Sequence, residues 1–207
     1  MTGGLLLVGA SGLAREVLAA GLGVVGVLDD DPGLAGRSLS GTPVLGAVAA
    51  AVDRPEQLLI TIGPSMARQR VVNGLERMGV GPDRYATFIA GSAVVGSTST
   101  VGVGSILLDG VVVTADVEIG SHVVIMPNCT ITHDDRLADF ATLAAGASLG
   151  GGVHIGEAAY VGMNACVYPR CSIGQHSTVG MGAVVIGDLP RDQTWAGVPA
   201  RRLKGGR

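Results

Sequence analysis

Aliphatic residues recur at every sixth position along the second half of the chain. From Ile89 to Val185, each sixth residue is Ile, Val or Leu without a break in register. The residue four places after each of them is usually small or Val, as at Ala93, Ser105 and Ala147. One large and one small inward residue in every six is typical of a parallel β-helix made of hexapeptides. Three hexapeptides form a coil of about 18 residues. Since such coils wind left-handed, this half predicts a left-handed parallel β-helix.

Strand-like and helix-like segments alternate along the first 85 residues. The segments LLLVG, VVGVL and LLITIG predict strands, whereas GLAREVLAAGL, LGAVAAAV and SMARQRVVNGLERM predict helices. This alternation favours a small parallel, Rossmann-like α/β sheet. We therefore predict an α/β domain over residues 1–85 and the β-helix over 86–190. The polar tail over 191–207 is expected to flank the last coil.

Composition and charge exclude several classes of function. Aromatic residues make up 3% of the chain and hydrophobic residues 47%, which suits a core of short aliphatic side chains. The net charge of −3 offers no basic surface for a nucleic acid. No apolar run approaches the roughly 18 residues that span a bilayer, and no signal-peptide pattern is present, so we expect a cytoplasmic protein without a membrane partner. The three cysteines form no CxxC pair and are expected to be free thiols.

A charged cluster interrupts the aliphatic pattern in the segment CTITHDDRLADF, residues 129–140. Asp135 occupies the inward slot that small residues fill elsewhere, and a carboxylate there is costly unless it is hydrogen-bonded. His133 lies at a predicted corner, and Gly151 stands 18 positions later, one coil further on. A histidine base beside an unshielded backbone N–H is a minimal acyl-transfer site, because the N–H can stabilise an oxyanion.

The other histidines are expected to be less important for function. His122 and His176 are three coils apart, a separation of about 14 Å, and both are expected at exposed corners. His154 is placed where it could approach an acyl donor. No three histidines converge in the predicted coils, so no metal site is expected.

The first loop, GASGLAREV, does not match the dinucleotide fingerprint, because Ser11 and Ala14 stand where glycines are required. A strand, a glycine turn and a helix remain, and the helix N-terminus could hold one phosphate or another anion. Asp29 and Asp30 end the next predicted strand, where ligands of open α/β sheets bind. The alternative is a structural turn beside a solvated acidic loop.

Segments along nearly the whole chain resemble the blocks of the NeuD-like sugar acyltransferases. In order, they are GASGLAREV, VLDDDP, ITIGPSMARQR, ITHDDRLADF, AAGASLGGGVHIG, VGMNACVYP and WAGVPARRL. This family includes N-acetyltransferases of nucleotide-linked amino sugars and sialic-acid O-acetyltransferases. The resemblance implies a homotrimer that uses acetyl-CoA at sites between neighbouring β-helices.

The resemblance also assigns roles to individual residues. His133 would be the general base, Asp134 the acid that raises its basicity, and Gly151 the N–H donor to the acyl carbonyl. The positions expected near the acyl-CoA are Thr142, His154, Met163, Gly180, Met181 and Arg201, with Arg202 beside Arg201 at the CoA phosphates. Those expected at the nucleotide-sugar pocket are Ser11, Gly12, Leu13, Asp29, Asp30 and Gly63.

Two positions depart from the family pattern. Leu13 replaces a histidine that helps to hold the acceptor, and Thr142 replaces a second histidine near acetyl-CoA. Both the nucleotide of the acceptor and the length of the acyl group therefore stay open. We expect N-acylation of an amino sugar that is nucleotide-linked. The alternatives are O-acylation of a sugar or related hydroxyl compound, and a non-catalytic trimeric scaffold.

Overall fold

The computed structural model describes residues 4–203, and the chain forms two compact units that meet in sequence between Phe88 and Ile89. The predicted boundary at 85/86 lies just before this point. The α-helices and strands of the first unit are β1 (Leu5–Val8), α1 (Gly12–Ala19), β2 (Gly26–Leu28), β3 (Ser38–Leu39), β4 (Thr42–Gly46), β5 (Gln57–Ile60) and α2 (Ser65–Arg77).

The first unit contains one five-stranded sheet in the order β3-β4-β2-β1-β5. All neighbours are parallel except β3 and β4, a short antiparallel pair that the sequence patterns did not predict. The central strand β1 is buried along Leu6, Leu7 and Val8, as expected for a parallel strand covered on both faces. This sheet confirms the predicted Rossmann-like unit.

One helix of the first unit differs from its prediction. The segment LGAVAAAV forms a 3₁₀ helix over Val48–Asp53 instead of an α-helix. Ala47 supplies no side-chain cap at its start, and Pro55 disfavours helical geometry at the residue before it. Both features disfavour a regular α-helix over this segment.

The second unit is built from two- and three-residue strands. They are β6 (Phe88–Ile89), β7 (Val94–Val95), β8 (Thr100–Val101), β9 (Ile106–Leu107), β10 (Val112–Val113), β11 (Glu118–Ile119), β12 (Val124–Ile125), β13 (Thr130–Ile131), β14 (Arg136–Leu137), β15 (Thr142–Leu143), β16 (Ser148–Leu149), β17 (His154–Ile155), β18 (Tyr160–Val161), β19 (Cys166–Val167), β20 (Ser172–Ile173), β21 (Thr178–Val179), β22 (Val184–Val185), β23 (Thr194–Ala196) and β24 (Arg201–Arg202).

These strands form the three faces of a triangular coil. Face A contains β7, β10, β13, β16, β19 and β22, face B contains β8, β11, β14, β17 and β20, and face C contains β6, β9, β12, β15, β18, β21, β23 and β24. From β7 to β19 each strand pairs in parallel with the strand 18 residues further on, as Val112 does with Thr130. The predicted left-handed parallel β-helix is confirmed.

From Leu107 to Val185 the sixth-position aliphatic residues are buried and form the core, whereas Val95 and Val101 are partly buried and Ile89 is exposed. Ile125, Leu143 and Val161, one above another on face C, are fully buried. Between the faces the chain turns through corners in which one residue has a positive φ. Asp134 (φ 63°) and Phe140 (φ 61°) are examples, and aspartate tolerates this left-handed conformation better than most residues.

The polar tail adds two further strands to face C of the β-helix. Strand β23 pairs in parallel with β21, and β24 then folds back antiparallel on β23. Neither α-helix in the described range has the length and hydrophobicity to cross a membrane. Within residues 4–203, no three His, Cys, Asp or Glu side chains come together as a metal-binding group.

Candidate functional site

His133 projects from the corner between β13 on face A and β14 on face B, which we call the A–B edge. Its side chain is 68% exposed, and its Nδ1 lies 2.7 Å from Oδ2 of Asp134. An ionised carboxylate can only accept hydrogen bonds, so in a neutral His133 this contact favours the tautomer that has its hydrogen on Nδ1. The other ring nitrogen, Nε2, then keeps its lone pair and can act as a base.

Gly151 lies directly next to this imidazole on the following coil of the A–B edge. A Cβ built on Gly151 would lie 2.5 Å from Nε2 of His133. The backbones of the two corners are also joined, since Gly152 N donates to His133 O at 2.9 Å. Among the described residues no acceptor bonds the Gly151 N–H. The coil geometry therefore brings together His133 and the unshielded backbone N–H of Gly151.

Asp135 fills the inward slot of the same corner and is fully buried. Its Oδ2 accepts from Thr132 N at 2.8 Å, and its Oδ1 accepts from Val153 N at 2.7 Å. Burial raises the pKa of this carboxyl to about 6, and the two N–H donors and nearby His133 oppose that rise. The sequence identified the unusual carboxylate but did not identify its backbone partners.

The positions predicted to lie near the acyl donor are spread over different faces. His154 is exposed on strand β17 of face B, in a groove of about 890 Å³ that also contains Arg136 and Glu118. The last two form an ion pair at 3.2 Å. Thr142 lies on face C and is 3% exposed, so its side chain belongs to a buried surface.

Most of the other positions predicted to lie near the acyl-CoA are on a second edge, between face C and face A. Met163 and Met181 occupy equivalent corners of successive coils on this C–A edge and are 45% and 71% exposed. Gly180 precedes Met181 in the same corner. Arg201 is exposed on β24. One chain thus presents His133 on one edge and the exposed methionines on another.

The predicted acceptor residues cluster at the carboxyl ends of β1 and β2 in the first unit. The hydroxyl of Ser11 caps α1, accepting from Ala14 N at 3.3 Å, and donates to Thr61 O at 2.6 Å. Asp29 accepts from Ala10 N at 2.6 Å and from Asp31 N at 2.8 Å. These contacts hold the loop after β1 against the loop after β2.

The other acceptor positions differ in how accessible they are. Asp30 is exposed and accepts from Val48 N at 2.8 Å. Gly12 begins α1 and is exposed, whereas Leu13 is 5% exposed and belongs to the core of the unit. The carbonyl of Gly63 accepts from Arg68 at 2.8 Å. Leu13, which stands where the family has a histidine, is therefore buried in the core of the first unit.

His122 corrects one expectation. The sequence predicted an exposed corner, but His122 is 4% exposed and stacks on Phe140 with ring centroids 5.3 Å apart. The two residues are 18 positions apart, so the coil register places one ring above the other. His176 is partly buried and lies 3.3 Å from Asp192.

The sequence interpretation missed Thr132, whose Oγ1 donates to Leu149 O at 3.0 Å. The available signal was its position, directly before His133 and after an inward Ile, where Gly often stands in other hexapeptides.

Comparison with known proteins places this geometry among transferases. Residues 152–187 match the family model described as bacterial transferase hexapeptide (six repeats). Among curated proteins, no sequence matches the chain significantly.

Several solved structures are similar over nearly the full chain. A mutant of perosamine N-acetyltransferase from Caulobacter crescentus, in complex with CoA and GDP-perosamine, is 31% identical, with a TM-score of 0.90 and coverage of 99% of this chain and 98% of that one. WeeI from Acinetobacter baumannii AYE is 30% identical, with a TM-score of 0.87 and coverage of 98% and 100%. The acetyltransferase domain of PglB from Neisseria gonorrhoeae FA1090 is 27% identical, with a TM-score of 0.85 and coverage of 96% and 98%.

Proposed function

The chain belongs to the NeuD-like sugar acyltransferases, which are acyl-CoA-dependent enzymes, and from this premise we propose that it acylates the amino group of a nucleotide-linked amino sugar. We propose acetyl as the acyl group. The observation that carries the proposal is the His133–Asp134 pair placed over the backbone of Gly151. The amino-sugar acceptor is supported by the Caulobacter relative, which was solved with CoA and GDP-perosamine.

In the proposed reaction, the acceptor nitrogen attacks the thioester carbonyl carbon of the acyl-CoA while His133 removes a proton from that nitrogen. A C–N bond forms, and the carbonyl oxygen becomes an oxyanion. The C–S bond then breaks, the amide carbonyl re-forms, and the CoA sulfur takes the proton from the histidine. Asp134 keeps Nδ1 protonated, so that Nε2 is the nitrogen that exchanges the proton.

The oxyanion is assigned to the N–H of Gly151. A backbone donor fixed in a corner needs no reorganisation when the negative charge develops. Since position 151 has no side chain, the carbonyl can approach this donor from beside the His133 ring. Direct transfer of this kind needs no covalent acyl-enzyme.

The placement of His133 and of the predicted acyl-CoA residues on different edges of one chain supports the proposal of a homotrimer. The base lies on the A–B edge and the exposed Met163 and Met181 on the C–A edge. We propose that the pantetheine arm lies along the C–A edge of one chain and ends at the His133 corner of a neighbour. Arg201 and Arg202 are exposed and would donate to the CoA phosphates. His154, which is exposed on face B, is proposed to border the acyl end of the donor, whereas Thr142 is buried and is not proposed to do so.

The acceptor's nucleotide is assigned to the ends of β1 and β2. The Ser11 hydroxyl proton is already donated to Thr61, so the free donors at this loop are the N–H groups of Gly12 and Leu13 at the start of α1. Such N–H groups suit a phosphate. Asp29 and Asp30 keep lone pairs that can accept from ribose hydroxyls or base N–H groups.

Release of free CoA thiol from acetyl-CoA tests the function directly. The acceptor panel pairs nucleotide-linked amino sugars, including GDP-perosamine, with the corresponding hydroxy sugars. Rapid thiol release with an amino sugar and mass-spectrometric detection of its amide are expected. Release only with hydroxyl compounds would replace the proposal by O-acylation. An absence of release, together with no acetyl-CoA binding by calorimetry, would instead favour the scaffold.

A further inference from the structure

Successive coils of the β-helix are joined by a regular backbone hydrogen bond. The residue after each inward aliphatic donates its N–H to a carbonyl of the next coil, as Thr114 N does to Ile131 O at 3.0 Å. The same bond is formed at every such position of the described coils from Gly96 to Gly180, with one exception. The exception is Thr132, the residue before the proposed base.

Thr132 has exchanged this bond for contacts with side chains. Its N–H donates to Oδ2 of Asp135 at 2.8 Å, and the carbonyl of Leu149, the expected acceptor, receives the Thr132 hydroxyl at 3.0 Å. The strand pairing is shortened at the same place, because β13 and β16 pair only through Thr130 and Ser148. The hydrogen bonds and the strand pairing therefore both show that the regular backbone ladder is interrupted at Thr132.

The second oxygen of Asp135 reaches the next coil. Oδ1 accepts from Val153 N at 2.7 Å, and Val153 stands two residues after Gly151. One buried carboxylate thus holds the residue before His133 with one oxygen and the corner of Gly151 with the other. A carboxylate thus joins the corner of the proposed base to that of the proposed oxyanion donor, and no other inward slot between Ala93 and Ala183 holds a charged residue.

A serine in the same slot shows that cohesion between coils does not require this carboxylate. Ser105 is fully buried, accepts from Val123 N at 3.0 Å and donates to Gly120 O at 2.8 Å. The regular backbone bond beside it is intact, from Gly102 N to Ile119 O at 2.8 Å. Asp135 therefore differs from Ser105 in one respect: it takes the Thr132 N–H out of the regular backbone hydrogen bond.

We propose that Asp135 is a positioning residue, which holds the His133 corner at the distance from the Gly151 N–H that acyl transfer requires. This inference rests on the proposed function and adds to it a residue that does not touch the substrates. The imidazole leaves no room for a Cβ at position 151, so the separation of the two corners sets how both groups meet one reacting carbonyl. A misplacement of about 1 Å can lower a rate by about 100-fold.

Asp135→Ser tests the proposal, because serine is an ordinary occupant of the slot. We expect a folded protein in which Thr132 N–H donates to Leu149 O and the His133 ring has moved by about 1 Å in the crystal structure. With acetyl-CoA and the best acceptor of the panel, kcat should fall by about 10- to 100-fold, while the KM for acetyl-CoA stays within about two-fold. Ser105→Ala is the matched control and should leave kcat unchanged.

A double-mutant cycle separates positioning from general structural damage. If Asp135 acts through His133, Asp135→Ser should lower kcat little further in the His133→Ala background. Wild-type kcat in Asp135→Ser, beside an impaired His133→Ala, would overturn the positioning role and leave the proposed function standing. An active His133→Ala would instead overturn the proposed mechanism.

Should the serine variant fail to fold, Asp135→Asn keeps the size of the side chain. Its amide oxygen can accept from Val153, but its NH₂ group cannot accept from Thr132 N–H. A wild-type kcat in that variant would equally overturn the proposal, and a fall confined to kcat would support it.

Discussion

The imidazole of His133 covers Gly151 so closely that a Cβ at position 151 would lie 2.5 Å from Nε2. The contact follows from the 18-residue coil, which stacks the two corners on the A–B edge. A backbone N–H beside a histidine without an intervening side chain is what the proposed acyl transfer needs. The glycine is therefore required by proximity and not by an unusual backbone conformation.

Gly151→Ala should displace the imidazole and lower kcat by about 100-fold, with a smaller effect on the KM for acetyl-CoA. Steady-state kinetics of thiol release measure both constants. Gly187→Ala is the control, since a Cβ at that position meets nothing within 4 Å. Turnover close to wild type in Gly151→Ala would contradict the assigned geometry.

His133→Ala should lower kcat by about 10²- to 10⁴-fold and leave acetyl-CoA affinity nearly unchanged, because a general base is lost without a binding group. Kinetics and calorimetry with acetyl-CoA are the measurements. His176→Ala removes another histidine paired with an aspartate, at 3.3 Å from Asp192, and should be active. Equal losses in both variants would point to structural damage.

Asp134→Asn should lower kcat by about 10- to 100-fold, because the amide no longer fixes the proton on Nδ1 of His133. Asparagine tolerates the positive φ of position 134, so the melting temperature should stay close to that of wild type. Asp192→Asn provides a control at another positive-φ aspartate beside a histidine. An unchanged pH–rate profile for Asp134→Asn would argue against the tuning role.

The raised pKa of Asp135 should make stability depend on pH. The folded protein keeps this proton up to about pH 6, whereas the unfolded chain releases it near pH 4, so between these values the native state binds more protons. The contribution of Asp135 to stability is therefore complete below pH 4 and falls as the pH rises to 6.

Denaturant unfolding of the wild type and Asp135→Ser measures this effect. The variant should gain stability relative to the wild type, on the order of 2–3 kcal/mol between pH 4 and pH 7. The other carboxyls titrate in both proteins and largely cancel in the difference. A difference that does not change with pH would show that the carboxyl keeps an ordinary pKa.

Arg201→Ala should raise the KM for acetyl-CoA by about three- to ten-fold, because an exposed arginine–phosphate contact contributes modestly and is screened by salt. The difference in KM between the variant and the wild type should shrink at high ionic strength. It should disappear with acetyl-pantetheine, which lacks the nucleotide phosphates. Arg77→Ala, at the end of α2, is the control. An equal loss with acetyl-pantetheine would place Arg201 outside the phosphate site.

The repeat made much of the second unit predictable. A period of six defines inward and outward positions, and a coil of 18 residues then places Gly151 beside His133 without further information. The same register places Phe140 one coil after His122, 18 positions later, whereas the expectation of an exposed corner compared His122 only with His176. Residue pairs 18 apart carry more information here than single residues.

Other features depend on details that a pattern does not contain. Removal of the Thr132 N–H from the regular bond depends on competition between a carboxylate and a carbonyl a few ångströms apart. The short β3–β4 pair lies in a segment without clear alternation of apolar and polar residues. The segment LGAVAAAV has no side-chain cap at Ala47, and it forms a 3₁₀ helix instead of the predicted α-helix.

Stacking in coils of fixed length has a consequence for how the chain can vary in length. Loss or duplication of one whole coil away from the A–B corner pair would leave His133 beside its glycine, because every edge keeps its register. Removal of six residues between positions 133 and 151 would carry the glycine to a different edge, and insertion of a single residue would turn the strand between them inside out. The site therefore depends more on the number of residues between its two corners than on which residues those are.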